Sequence, residues 1–165
     1  MSSIVTKIVE LFQNSVSKEL LVFIISLCPI LELRGGLLAA SLLKLPYLKA
    51  AILSIFGNIL PIPFILVFMN KILIFLENIS FTKKFAEFLR NKATKNKPQI
   101  DKYGFWGLTL FVGIPLPMTG AWTGALIASV FHMDLKKASI AIFLGILLAF
   151  IIMSIISYGI VYHIT

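Results

Sequence analysis

The chain has 165 residues, 59% of them hydrophobic and only 13% charged, with a mean hydropathy of +0.98. Soluble domains run near ~45–50% apolar and ~25% charged, so the composition excludes an ordinary soluble fold and points to a single integral membrane domain built of α-helices. The net charge of +8 gathers around Lys83, Lys84, Arg90, Lys92, Lys95, Lys97 and Lys102; such a basic loop reads as cytoplasmic under the positive-inside rule rather than as a nucleic-acid surface.

In chain order, residues 1–18 come first. Between 4 and 16, Ile4, Val5, Ile8, Val9, Leu11, Phe12 and Val16 share one helical face, with Thr6, Lys7, Glu10, Gln13 and Asn14 opposite. This predicts a helix lying in the membrane interface. It lacks the charged n-region and h-region of a cleavable signal. Residues 20–43 read LLVFIISLCPILELRGGLLAASLL, an apolar run interrupted by Pro29, Glu32, Arg34, Gly35 and Gly36. An ionisable residue at bilayer depth costs ~2.5 kcal/mol or more, which marks Glu32 and Arg34 as candidate site residues. The proline and paired glycines predict a broken helix. Cys28 is the single cysteine, so no intramolecular disulfide forms.

Residues 47–69 are apolar and carry Gly57, Asn58, Pro61 and Pro63. They are long enough to cross a core ~30 Å thick, with a kink expected in the second half. Residues 79–97 place Phe81, Phe85, Phe88 and Leu89 on one face, as either a basic helix on anionic lipid or a solvated linker. Residues 104–131 are apolar and again interrupted, reading GIPLPMTGAWTGALIASVF from Gly113. Residues 138–163 carry no charge and are the cleanest spanning candidate.

Sliding the chain by 88 residues places Pro29 on Pro117, Gly36 on Gly124, Ser41 on Ser129, Lys49 on Lys137 and Gly57 on Gly145. Matched prolines, glycines, serines and lysines in one ungapped register indicate an internal duplication. It divides the chain into a first unit over 20–70, a basic cytoplasmic linker over 71–103 (77–103 facing the cytoplasm), and a second unit over 104–163. If the interrupted segments are re-entrant hairpins, each unit crosses the membrane once and the two are inverted. If they span, the units are parallel. Basic-residue counts do not separate these. Helix breaks at Pro29, Gly35 and Gly36, and again at Pro115, Pro117, Gly120 and Gly124, favour inverted hairpins around a midplane site.

Glu32-Leu33-Arg34-Gly35-Gly36 together with Pro115-Leu116-Pro117-Met118-Thr119-Gly120-Ala121-Trp122-Thr123-Gly124-Ala125 resemble the two signature regions of the small multidrug export protein family. More distantly the chain resembles the DedA and SNARE-associated Golgi proteins. The resemblance implies two re-entrant loops in inverted repeat, an export role, and relatives linked to moving lipids or lipid phosphates. The second loop lacks the arginines of the DedA pattern and carries Thr119, Trp122 and Thr123 there, which puts a copied phosphate site in doubt.

Each candidate carries a functional and a bland meaning. Glu32 is a proton carrier or a structural partner of Arg34. Arg34 holds an anionic head group, or neutralises Glu32, or caps the first half-helix. Thr119 and Thr123 line a polar cavity or satisfy broken backbone; Trp122 stacks on substrate or fills the tip; Asn58 joins the cavity or bonds between helices. His132 and His163 show no metal-ligand spacing, and no phosphate-binding loop or nucleophile elbow occurs. The expectation is a multi-pass protein of the cell (inner or plasma) membrane, non-enzymatic and without cofactor or metal. It is a proton-coupled transporter of a small amphipathic or lipid-like substrate, in contact with membrane lipids and able to form a homodimer, with no nucleic-acid partner. A lipid-phosphate translocase or scramblase and a non-transporting scaffold are the alternatives.

Overall fold

The structure is a computed structural model that describes residues 2–77, 87, 91, 104–116, 119–131 and 133–159. All regular structure among them is helical. The basic segment 79–97 apart from Glu87 and Asn91, and with it Pro117, His132 and His163, lies outside the described residues.

Helix α1 spans Ser2–Phe12, ending earlier than the amphipathic pattern suggested. It packs on α3 through Val5 and Val9, both buried, while Lys7, Glu10 and Leu11 face outward. Ser17 then caps α2 (Lys18–Leu27), its side chain accepting from the Leu20 N–H at 3.3 Å. Pro29 ends α2: Cys28 before it is forced extended, at φ −66° and ψ 134°. The chain restarts as α3 (Glu32–Leu42) with Glu32 itself at φ 51°. At 1.5 Å per residue each of these helices is ~15 Å long. They fold back as a hairpin, because Lys18 at the start of α2 donates to the Leu43 carbonyl past the end of α3, at 3.1 Å.

A tight corner follows. Leu43 N–H bonds the Ala39 carbonyl at 2.9 Å and Leu45 N–H the Ala40 carbonyl at 3.0 Å, a helix-ending motif with Lys44 at φ 54°. Pro46 then leads into α4 (Tyr47–Ile59). The same corner recurs 88 residues on: Phe131 N–H bonds Ile127 and Met133 N–H bonds Ala128, each at 3.0 Å, at the end of α7 (Ala121–Val130), and Asp134 caps α8 (Leu135–Ser154). Before α7 lies α6 (Gly104–Gly113).

Among the described residues two helical stretches are long and apolar enough to cross a membrane, Tyr47–Phe68 and Leu135–Gly159. The first is α4 continuing into α5 (Ile62–Glu77), broken at Leu60-Pro61, where Pro61 has no N–H for the helix ladder. The second is α8 closed by a π-turn, Ile155–Gly159. They run antiparallel: Tyr47 at the start of α4 bonds Ser154 near the end of α8 at 3.2 Å, while Ile59 and Ile62 meet Ser139 and Ile142 at the opposite end. The π-turn is held to the first corner by Ser41, which donates to the Ser157 carbonyl at 2.7 Å. Helix α5 packs on α7, and α8 packs on α3, so each unit's long helix reaches across to the other unit's inner half-helix. Ile52, Phe56, Phe64, Ile140, Phe143, Ile151 and Ile155 form the exposed apolar exterior.

Close helix contacts explain the paired glycines. A Cβ on Gly57 would stand 2.8 Å from the Phe23 carbonyl and 2.9 Å from Ser26 Cβ; one on Gly145 would stand 2.8 Å from the Thr109 carbonyl and 2.6 Å from Val112 Cβ. These partners are 86 residues apart, not 88. The single ungapped register therefore corrects to two: 86 for the outer half-helices α2 and α6, and 88 from α3 and α7 onward. The difference is absorbed in the breaks, residues 28–31 in the first hairpin and the longer 114–120 in the second. Turn length varies freely where helix packing does not. In the corrected register Pro29 pairs with Pro115.

Candidate functional site

The longer second break leaves two raw helix ends facing α3. Helix α7 begins after Gly120, which has no side chain to cap it and sits at φ 140°. Its first N–H groups need acceptors, and its N-terminus carries partial positive charge. Helix α6 ends before Pro115, so its last carbonyls need donors and carry partial negative charge.

Glu32 and Arg34 supply both. The Glu32 carboxylate, 4% exposed, accepts from Ala121 N–H on Oε2 and from Trp122 N–H on Oε1, each at 3.1 Å. Arg34, 5% exposed, donates from Nη1 to the Leu116 carbonyl at 2.7 Å. From Nη2 it donates to Val112 at 3.3 Å, to Ile114 at 3.1 Å and to Thr119 Oγ1 at 3.1 Å. An acid thus covers the positive end of one half-helix and a base the negative end of the other, with both charges carried by α3 of the opposite hairpin. Gly120 makes room for this: a Cβ there would run into the Glu32 carboxylate. The left-handed backbone at Glu32, which costs a non-glycine residue ~1–2 kcal/mol, starts α3 with the acid at its very first position.

A hydrogen bond joins Arg34 to Thr119, and Glu32 reaches Trp122 through that residue's main-chain N–H. The half-buried Trp122 indole has its Nε1 enclosed with no hydrogen-bond partner. Thr123 is buried one position further along α7. Asn58 stands elsewhere, on α4, buried, with its Oδ1 unpartnered. Arg34 does not cap α2, the first half-helix of its own hairpin; it caps α6. The groups the sequence does not display are main-chain ones: the carbonyls of Val112, Ile114 and Leu116 and the N–H groups of Ala121 and Trp122. Within the break the Thr119 hydroxyl, 2.9 Å from both the Ile114 and the Leu116 carbonyl, shares these acceptors with Arg34, while the start of α7 has no side-chain cap at Gly120.

The family model described as "Putative small multi-drug export protein" matches residues 32–152. The chain belongs to that family. The match opens at Glu32, just after the first break, and runs through the second break into α8, so the small multi-drug export family's matched region contains every bond of the Glu32–Arg34 arrangement while leaving out α1 and α2. Neither a curated protein nor a solved structure matches the chain. Among the described residues no group of three or more His, Cys, Asp and Glu side chains is arranged to hold a metal.

Proposed function

We propose that this chain is a proton-coupled membrane exporter in which two half-membrane hairpins, inverted relative to each other, meet tip to tip and are latched by Glu32. The single observation that carries this is the pair of hydrogen bonds from the start of α7 to the Glu32 carboxylate. The inverted arrangement is supported by the ~15 Å half-helices, about half of a ~30 Å core, and by the antiparallel course of Tyr47–Phe68 and Leu135–Gly159.

With Glu32 ionised, α3 and α7 are held together and the path between the hairpins is shut. A proton on Glu32 removes its charge and turns one acceptor oxygen into a donor facing an N–H, so the latch opens. Arg34 keeps its grip on α6, which makes α7 the half-helix that moves. Cargo then meets Trp122, Thr123 and Thr119 at the parted tips, the aromatic face and hydroxyls suiting a small amphipathic molecule. Because α5 lies on α7 and α8 on α3, movement of α7 is passed to the long helices.

Proteoliposomes loaded with a pH dye and ethidium test this. Wild type should move ethidium and protons in linked amounts, and Glu32→Gln should uncouple them. Normal coupled transport by a folded Glu32→Gln protein refutes the latch. The saturation of Arg34 by protein acceptors favours, as a second reading, a structural staple in a non-transporting protein. It also means that Arg34 would have to release α6 before it could hold a lipid phosphate. Absence of both ethidium and head-group movement in wild type would support the staple.

A further inference from the structure

The two units can be read against each other at the junction where their three helices pack. In the second unit Gly124 and Gly145 press against Val112, and Ile142 approaches Gly124 from α8. Val112, Ile142 and Ile146 are each 1% exposed, a wholly apolar junction. In the first unit the same places hold Ser26, Ser54 and Asn58, around Gly36 and Gly57. The fold therefore does not require oxygen here. Yet Ser26 and Ser54 are 0% exposed and Asn58 3%, and Ser54 Oγ and Asn58 Oδ1 have no hydrogen-bond partner. A buried polar group left unmet bears the full penalty of its lost hydration.

The two serines converge. A Cβ on Gly36 would collide with Ser26 Oγ and stand 2.9 Å from Ser54 Oγ, so both hydroxyls turn toward the same point on α3. Ser26 donates its proton to the Val22 carbonyl at 2.8 Å, which leaves its lone pairs outward. Asn58 lies one turn beyond Ser54 on the same face of α4. Ser26 is in the last turn of α2 and Asn58 in the last turn of α4, so the negative ends of two helices point here. Pro61 adds to this, since it has no N–H to give to the Gly57 carbonyl four residues earlier.

We infer that the α2–α3–α4 junction binds a small monovalent cation, Na+, through Ser26, Ser54 and Asn58. Hard cations take oxygen ligands, and the absence of a carboxylate among these three suits one charge rather than two. Broken helices whose C-terminal ends gather around an ion are a known transporter device. The site is separate from the Glu32 latch and stands whether or not that latch carries protons.

The test uses the full chain in detergent micelles, with thermal unfolding followed against NaCl, KCl and choline chloride at constant ionic strength, and ²²Na+ binding by equilibrium dialysis. Na+ should raise the midpoint saturably where choline does not. Ser54→Ala should shift the Na+ titration to higher concentration by about tenfold, the equivalent of ~1.4 kcal/mol. Asn58→Leu with Ser54→Ala should abolish both the shift and the ²²Na+ binding. Coincident Na+ and choline curves in wild type, as expected of a junction filled only by water, overturn the inference. So does an undiminished Na+ response in Ser54→Ala.

Discussion

Glu32→Gln is the most exacting substitution because it keeps the volume and one acceptor while removing the charge. The carboxylate serves Ala121 N–H with one oxygen and Trp122 N–H with the other. Glutamine retains a single carbonyl oxygen and turns its NH₂ group toward the second N–H. A buried hydrogen bond to a charged group contributes ~1.5–3 kcal/mol, and a buried donor left unmet costs ~1–3 kcal/mol. The favourable placement of an anion at a partly buried helix start contributes up to ~2 kcal/mol more. These describe overlapping parts of one contact and do not sum, so the expected loss is ~2–4 kcal/mol, near the upper range for single substitutions. Equilibrium unfolding in micelles measures it, with amide hydrogen exchange at Ala121 and Trp122 reporting on the contact itself. A Gln variant within ~0.5 kcal/mol of wild type, the usual range for a neutral surface change, would show that α7 does not rest on Glu32.

Arg34→Lys keeps the charge but not the fork; one ammonium cannot serve Leu116, Val112, Ile114 and Thr119 from two nitrogens, and a loss of ~1.5–3 kcal/mol in the same unfolding assay is expected. Gly120→Ala should lower the unfolding midpoint at least as much as Glu32→Gln, because its Cβ displaces the Glu32 carboxylate and its φ of 140° is strained for alanine, whereas Gly104→Ala, at φ 52° with open space around it, should cost only the ~1–2 kcal/mol of a left-handed backbone. Gly57→Ala and Gly145→Ala should both lower the unfolding midpoint clearly, since each meets a main-chain carbonyl at 2.8 Å that cannot swing aside. Helix-start hydrogen bonding at its own backbone and then Lys49 at 3.4 Å hold the exposed Glu19 carboxyl below its ordinary value. Its small stabilising effect is therefore present above the unfolded-state pKa and fades as pH falls through the lowered one, and Glu19→Gln should match wild type in acid while falling slightly below it at neutral pH.

Only part of the backbone plan could be read from residue types: Gly35, Gly36 and Gly124, expected at the breaks, lie inside α3 and α7, where close packing rather than a turn selects glycine. Pro29 and Pro115 end α2 and α6, and the Gly57–Gly145 match marked a close approach that the packing explains. The register could not be read fully. An ungapped slide rewards identity, and Pro117 offered a partner for Pro29 as good as Pro115 did. Only helix contacts reveal that the outer half-helices follow 86. Glu32 and Arg34 stood out by charge, but their partners are main-chain atoms, which no sequence distinguishes from any others. Asn58 was legible as a polar residue in an apolar helix; that it belongs with Ser26 and Ser54 rather than with Glu32 depends on which face of α4 meets α2.

The asymmetry between the units follows from the length of the second break. The first hairpin turns within residues 28–31, where Cys28 N–H still reaches Ile24 and Glu32 N–H bonds the Cys28 carbonyl at 2.9 Å, so its backbone closes largely on itself. The second runs over 114–120 and closes only in part, through Leu116 N–H and the Thr119 hydroxyl on the Ile114 carbonyl, and draws on Arg34 for further donors at the α6 end and on Glu32 for acceptors at the α7 start. In the proposed re-entrant arrangement no water is available at that depth to meet the rest. Side chains complete the set, and opposite charges suit the task because the two ends carry opposite partial charge. Placing both charges on α3, rather than on the second hairpin itself, makes the repair depend on the two units touching. A hairpin capped from within would be stable alone; this one is complete only when α3 is in place, and any event that neutralises Glu32 acts at once on the junction between the units.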